Sequence, residues 1–427
     1  MTKSKYVPKR RFKEFELDSE WELLTLSDIS EGFEYGLNVP AKEFDGINKY
    51  LRITDIDDTS REFLISNLSS PDANCESFGN YLLAEGDVLF ARTGASTGKT
   101  YYYKETDGKV FFAGFLIRAR VKGNFDHRFV FQNTLTKKYK NYIELTSQRS
   151  GQPGVNAQEY SRFSLYIPSL SEQKVIGDFV EKLDSLISLH QHKLDKLKNL
   201  KKSYLAELFP AEGERIPKRR FPGFEGEWEQ DLLGNIVDFS IKTNSFSREN
   251  LTHKSYEVQN IHYGDILVKF QSVLDLKQDN LPSIIDSSVS DFRQSLLQDG
   301  DVIFADAAED STVGKAIEIR NIMSNNVVSG LHTIAARPRQ LFAPYYLGYY
   351  LNSDTYHNQI LPLMQGTKVS SISKSNLQVT EISFPKIDEQ KQIGNFFKKL
   401  DQSISLQQQK LDKLNDLKKA YLNELFV

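Results

Sequence analysis

At 427 residues the chain exceeds one ordinary core, so two domains of about 150 to 200 residues with additional elements are expected. Apolar residues at 39% and charged residues at 26% exclude a disordered or fibrous chain, and the single cysteine, Cys75, excludes a disulfide framework or a cysteine-rich zinc site. A formal net charge of −3 argues against a protein that coats nucleic acid without selectivity, and the cysteine count fits a reducing, cytoplasmic compartment.

The chain opens with Lys3, Lys5, Lys9, Arg10 and Arg11, but no apolar segment follows, so a secretory signal is not expected. The best apolar run, FFAGFLI at 111–117, is far short of the ~20 residues that a bilayer requires, so no membrane partner is expected. Over residues 1–168 the runs YLRITDI (50–56), DVLFA (87–91), FFAGFLIRARV (111–121) and FSLYIP (163–168) predict strands. A helical pattern covers 127–145, which makes this a mixed α/β domain. Residues 1–87 hold 10 Lys and Arg against 18 Asp and Glu, whereas 88–168 hold 13 against 5, so the second half of the domain is expected to be basic.

Residues 169–210 predict a long helix. Ile176, Phe179, Leu183, Ile187, Leu194, Leu197, Tyr204 and Leu208 recur in steps of three and four, and no proline interrupts between Pro168 and Pro210. Ser171 with Glu172, and Asp388 with Glu389, place a capping residue and an acid at a helix start, where the dipole favours them. The segment 167–210 recurs at 384–427, offset by 217 residues without a gap, with roughly 27 of 44 positions identical. Weaker repeats precede each copy: VPKRRF (7–12) with Trp21 matches IPKRRF (216–221) with Trp228, and EGDVLFA (85–91) matches DGDVIFA (299–305). Between these anchors the halves diverge, so 1–168 and 211–385 read as two variable domains, and 169–210 and 386–427 as two near-constant helices.

The expected fold class is therefore α+β: two similar mixed α/β domains separated by two long helices that pair as an antiparallel coiled coil, with pseudo-two-fold symmetry. The seam is predicted to run through Ile187, Leu194, Leu197, Tyr204 and Leu208, and through Ile404, Leu411, Leu414, Tyr421 and Leu425. Polar residues interrupt it at the same two places in both copies, His190 with Lys201 and Gln407 with Lys418, where they either fix register or reach solvent at the seam edge.

RTGASTGKT (92–100) ends like a phosphate-binding loop, but that loop needs a glycine five residues before Gly98, and position 93 is Thr93. The second copy, ADAAEDSTVGKA (305–316), keeps Gly314 and Lys315, yet has Ala316 where a magnesium-binding hydroxyl belongs and Glu309 with Asp310 where phosphate would sit. No histidine spacing, Gly-x-Ser-x-Gly or adenine-methyltransferase motif is present, and SGQPG (150–154) has no evident base, so no catalytic site is expected.

The alternation of variable domains with near-constant helices, the P-x-x-x-EQ openings (Pro168 with Glu172 and Gln173; Pro385 with Glu389 and Gln390), and GDVLFARTGASTGK, LRITDI, GDVIFA and STVGK together resemble the specificity subunit of type I restriction-modification enzymes. The resemblance covers essentially the whole chain. It implies a non-catalytic subunit whose two target-recognition domains each read half of an asymmetric, bipartite sequence in double-stranded DNA. It also implies recruitment of two methyltransferase subunits, which bind S-adenosylmethionine, and through them of ATP- and Mg-dependent restriction and translocase subunits, with no cofactor in this chain. Helix lysines such as Lys193, Lys196, Lys198, Lys201 and Lys202 could serve the methyltransferase interface or only solubility. A coiled-coil scaffold that binds proteins without reading DNA would share the helices, but gives no reason for two diverged copies of one domain.

Base reading favours Arg, Asn and Gln, backed by Lys on phosphates. The candidates in the first domain are Arg92, Thr93, Ser96, Lys99, Gln148, Arg149, Gln152 and Asn156, with the run Lys137, Lys138 and Lys140 on a helix. In the second domain they are Lys315, Gln365, Lys368, Ser370, Ser371 and Lys374, where 302–384 balance at 6 basic against 6 acidic residues.

Overall fold

The computed structural model describes residues 6–149, 151–366 and 368–427; Lys3, Lys5 and Ser150 lie outside the described residues. The chain forms two compact units, residues 1–192 with 408–427, and residues 193–407. Each unit holds part of both long helices, Leu170–Glu207 and Ile387–Glu424, each 38 residues long. At about 1.5 Å per residue each helix is about 57 Å long.

In the first unit a four-stranded antiparallel sheet runs in the order Ser30–Tyr35, Leu116–Val121, Asp87–Ala91, Thr100–Tyr102. The central strand Asp87–Ala91 is buried at every residue, which is why its sequence is a continuous apolar run rather than an alternation. Val88 and Phe90 pack with Trp21, Phe129 and Tyr160, while Leu89 and Ala91 face a smaller core of Leu51, Ile56, Phe63 and Phe112. The second unit repeats this arrangement around Val302–Ala305. Val302 and Phe304 pack with Trp228 and Tyr346, and Ile303 and Ala305 face Ile261, Leu274 and Ile317. Its sheet carries one more edge strand, Val273–Asp275, parallel to Ala316–Arg320.

Three expected elements differ. YLRITDI is a strand only over Lys49–Leu51, after which Ile53–Asp55 is a 3-10 turn closed by the bidentate Arg52–Asp55 pair. FFAGFLIRARV is two strands, Val110–Phe112 and Leu116–Val121, separated by a turn in which the Leu116 amide donates to Ala113 O at 2.8 Å. The pattern at 127–145 is two helices, His127–Asn133 and Lys137–Thr146, because the Thr136 hydroxyl caps a new start by accepting from the Tyr139 amide.

Inside each unit the helices pair antiparallel. In the first, Lys418 meets Asp184 at 2.6 Å and Tyr421 lies edge-on to Phe179 at 4.7 Å. In the second, Lys201 meets Asp401 at 2.6 Å and Tyr204 lies edge-on to Phe396 at 4.8 Å. Of the expected seam residues, Leu194, Leu208, Leu411 and Leu425 are buried, and Ile187, Leu197, Tyr204, Ile404, Leu414 and Tyr421 are half-buried. Lys201 and Lys418 are therefore register contacts between the helices, and Lys201 is not an outward lysine free for a partner.

The P-x-x-x-EQ motif and the repeated RRF explain each other. Glu172 is fully buried and takes a bidentate contact from Arg11 (2.8 and 2.7 Å), and Glu389 takes the same from Arg220 (2.7 and 2.7 Å). These acids join the N-terminal segment of each domain to its helix, a stronger role than the dipole contact expected from position alone. Gln173 donates to Pro168 O at 2.9 Å and accepts from the Asp126 amide at 3.0 Å; Gln390 donates to Pro385 O at 2.8 Å and accepts from the Ala343 amide at 3.0 Å. Gly177 and Gly394 lie one turn on, where a Cβ would meet Asp126 Oδ1 at 2.9 Å and Pro344 O at 2.5 Å. A helix-interior glycine costs about 1 kcal/mol, and here close approach of the domain backbone requires it.

Candidate nucleic-acid interface

The loop 92–98 is a tight turn anchored on a core tyrosine. Tyr160 Oη donates to Ala91 O at 2.6 Å and accepts from the Gly98 amide at 3.1 Å. Gly98 has φ +84°, and a Cβ there would lie 2.6 Å from Ile143 Cγ2; Gly314, with φ +81°, would meet Ile360 Cδ1 at 2.8 Å. Both lysines that follow turn inward. Lys99 is buried, with its ammonium on Ile56 O at 3.0 Å and Asp58 at 2.6 Å. Lys315 donates to Leu267 O at 3.0 Å and Phe270 O at 2.7 Å, and burial lowers its pKa. The Gly-Lys pair thus ties the loop to the neighbouring layer, and the cation a phosphate cradle needs points away from solvent.

The structure gathers the other loop candidates of the first unit. The Gly94 amide and the Thr97 hydroxyl both donate to Pro153 O (3.0 and 3.1 Å), Thr93 bridges Gly154, and the Val155 amide donates to Arg92 O at 2.9 Å. The Arg92 amide donates to Phe115 O at 3.0 Å, which brings in the turn after Phe112. The Arg92 guanidinium lies over the Tyr35 ring at 4.9 Å, and the Tyr35 hydroxyl accepts from the Ala157 amide at 3.3 Å. Among the described residues this guanidinium makes no hydrogen bond or ion pair, so its donors are open. Phe115 beside it is 58% exposed. Ser96 is half-buried on this surface, and Gln148 and Gln152 are exposed.

Several candidates are engaged within the fold. Arg149 Nη2 donates to both carboxylate oxygens of Glu159 (2.5 and 2.7 Å), and Nη1 donates to Thr146 O and Gln148 O. Asn156 caps the helix Ala157–Ser161 through the Glu159 amide, at 2.9 Å. Lys138 is half-buried over the Tyr166 ring at 4.0 Å, and burial lowers its pKa, whereas Lys137 and Lys140 are exposed on the same helix. In the second unit Lys374 donates to Phe239 O at 3.2 Å, and Lys368 is exposed. Gln365 and Ser371 exchange backbone hydrogen bonds (3.0 and 2.8 Å), and Ser370–Ser371 pairs with Ala307–Ala308, directly after Asp306.

Part of the basic excess of residues 88–168 is neutralised within the fold. Arg118 pairs with Glu34 and Asp87, Arg120 with Asp87, Lys99 with Asp58 and Lys104 with Glu62, so acids of residues 1–87 neutralise cations of 88–168 across the sheet. Sequence-segment charge misses this because strand pairing is long-range. It also gave no sign that Tyr35 and Phe115 lie against Arg92, for the same reason. A polar cavity of about 650 Å³ in the first unit is lined by Tyr102, His127, Arg128, Lys174 and Glu181. Arg128 is already tied to Asp126, Asp178 and Glu181, and Tyr102 to Glu181, so this cavity marks a joint between domain and helix.

Residues 18–199 and 225–416 each match the family model described as type I restriction modification DNA specificity domain. The chain belongs to this family. Specificity subunits that it resembles include that of the type I restriction enzyme MjaVIII of Methanocaldococcus jannaschii, 21% identical over 98% of this chain and 96% of that one. A putative MjaX specificity subunit from the same organism is 23% identical over 96% of this chain and 93% of that one. Among solved structures, the S subunit of a type I restriction-modification system from M. genitalium shares the fold, with a TM-score of 0.63, 12% identity and 99% coverage of both chains. A chain of an assembled type I system matches with a TM-score of 0.50, 18% identity and coverage of 95% and 97%. As a specificity-family chain it is a recognition subunit and not a catalytic one. Among the described residues no group of His, Cys, Asp and Glu is placed to hold a metal ion, and no helix is long and apolar enough to cross a membrane.

Proposed function

We propose that the chain reads an asymmetric, bipartite sequence in double-stranded DNA, residues 1–168 reading one half and 211–385 the other. The two long helices recruit two methyltransferase subunits and, through them, restriction and translocase subunits, in the cytoplasm. S-adenosylmethionine, ATP and Mg belong to those partners. One observation carries the reading: the load-carrying contacts recur in both units, while the loop surfaces they present differ. Arg11–Glu172 matches Arg220–Glu389, and Asp87–Arg120 matches Asp301–Arg337, yet Arg92 becomes Asp306. A scaffold used twice with different surfaces suits a target whose halves differ, since base edges are told apart by donor and acceptor pattern. The test is to co-express the chain with the methyltransferase encoded beside it in a methylation-free host and map modified adenines by long-read sequencing. A split, asymmetric motif is expected, and exchange of residues 1–168 should change one half only. A stable complex that methylates no adenine would defeat the reading.

A further inference from the structure

The two units hold one residue in the same backbone frame with opposite chemistry. The residue after the central strand gives its amide to the turn of the neighbouring strand and takes an amide from the loop beyond: Arg92 to Phe115 O (3.0 Å) and from Val155 (2.9 Å), Asp306 to His332 O (3.1 Å) and from Ile372 (2.9 Å). Side chains of the two positions therefore leave equivalent points of equivalent loops. At the first the guanidinium lies over Tyr35 at 4.9 Å with open donors, and Phe115, whose carbonyl accepts the Arg92 amide, is 58% exposed. At the second, the buried Asp306 Oδ1 faces His332 Nδ1 at 3.3 Å without a hydrogen bond, while the side chain as a whole is 28% exposed. His332 is held with φ +54° and lies edge-on to Tyr263 at 5.2 Å. A non-glycine residue in the left-handed region is uncommon, and such strain collects at functional loops.

We propose that Arg92 and Asp306 are the specificity-determining base contacts, one in each half-site: Arg92 reads guanine, and Asp306 reads the exocyclic amine of cytosine. A planar fork matches guanine O6 and N7 together. A carboxylate only accepts, so it is repelled by the N7 acceptor of either purine and by thymine O4, and cytosine N4 is the major-groove donor without an acceptor beside it on its own base. The inference rests on the proposed reading of DNA and assigns the residue that sets one base in each half.

The test maps methylated adenines for the complex carrying the wild-type chain, Arg92→Gln or Asp306→Asn. Arg92→Gln removes no side-chain hydrogen bond or ion pair among the described residues, and Asp306→Asn keeps the side-chain shape while removing the charge that faces His332. Arg92→Gln should relax or change a guanine in one half and leave the other half intact; Asp306→Asn should do the reciprocal at a cytosine, each with about tenfold or greater loss of discrimination at that position. Both variants retaining the wild-type motif overturns the inference while leaving the function standing. No split motif from the wild-type chain overturns the function and the inference with it. For a variant that methylates nothing, binding of its complex to duplexes permuted at each position decides: lost discrimination at one base of one half supports the inference, and wild-type discrimination overturns it.

Discussion

Glycine at 98 and 314 serves two needs at once: a backbone at φ +84° or +81°, and space for Ile143 or Ile360 within 3 Å of an absent Cβ. Gly98→Ala and Gly314→Ala should each destabilise by about 2 kcal/mol or more, since strain and overpacking each cost about 1–3 kcal/mol. Thermal denaturation of the purified chain measures it, and an unchanged Tm would remove the steric account. The buried pair Arg11–Glu172, with side chains 7% and 0% exposed, predicts a larger loss. Glu172→Gln leaves a buried guanidinium without its counter-charge, at about 3–5 kcal/mol, and Glu389→Gln should match it. A cost below about 1 kcal/mol in denaturant titration would show that the segment is held otherwise.

At the scale of elements the helices are joined by one ion pair made twice from duplicated residues, Asp184 with Lys418 and Lys201 with Asp401. Each pair is partly shielded, with exposures between 14% and 26%, so its main effect is on register. Lys201→Glu opposes Asp401 with a like charge, and Asp401→Lys in the same chain should restore stability; failure of the double variant to recover would place the cost elsewhere. Leu194→Ala and Leu411→Ala, at buried seam positions, should each cost about 2–5 kcal/mol. The edge strand Val273–Asp275 adds an acid-sensitive joint. Burial alone would raise the Asp275 pKa, but Asn321, the Lys277 amide and Lys398 outweigh it and hold it below the ordinary value. A lowered carboxylate contributes stability that is present above the unfolded pKa, about 3.9, and lost as pH falls through the folded value. Asp275→Asn should therefore lower Tm at neutral pH and flatten its fall in acid; parallel Tm profiles would show that Asp275 is not the titrating group.

For the whole molecule, each recognition domain is keyed to its own helix by opposite charge. Glu181 of the first helix faces Arg128, while the residue 217 positions later is Lys398, which faces Asp275 and Tyr345. Exchanging the two domains between positions would set Arg128 against Lys398. Such an exchange should express less stable protein than exchange combined with Glu181→Lys and Lys398→Glu, and equal Tm values would refute the keying.

The sequence by itself determined the duplicated plan and the two long helices, because these rest on local periodicity and on a repeat that needs no third dimension to see. It also showed that Gly98-Lys99 lacks phosphate-loop spacing. Only tertiary structure decided which cations remain open. Lys99, Lys138, Lys315 and Lys374 are engaged by carbonyls, rings or carboxylates distant in the chain, and acids of the first half of the first domain pair with cations of its second half. Tyr35 and Phe115 join Arg92 for the same reason: strand pairing brings together residues whose separation along the chain leaves no periodic signal.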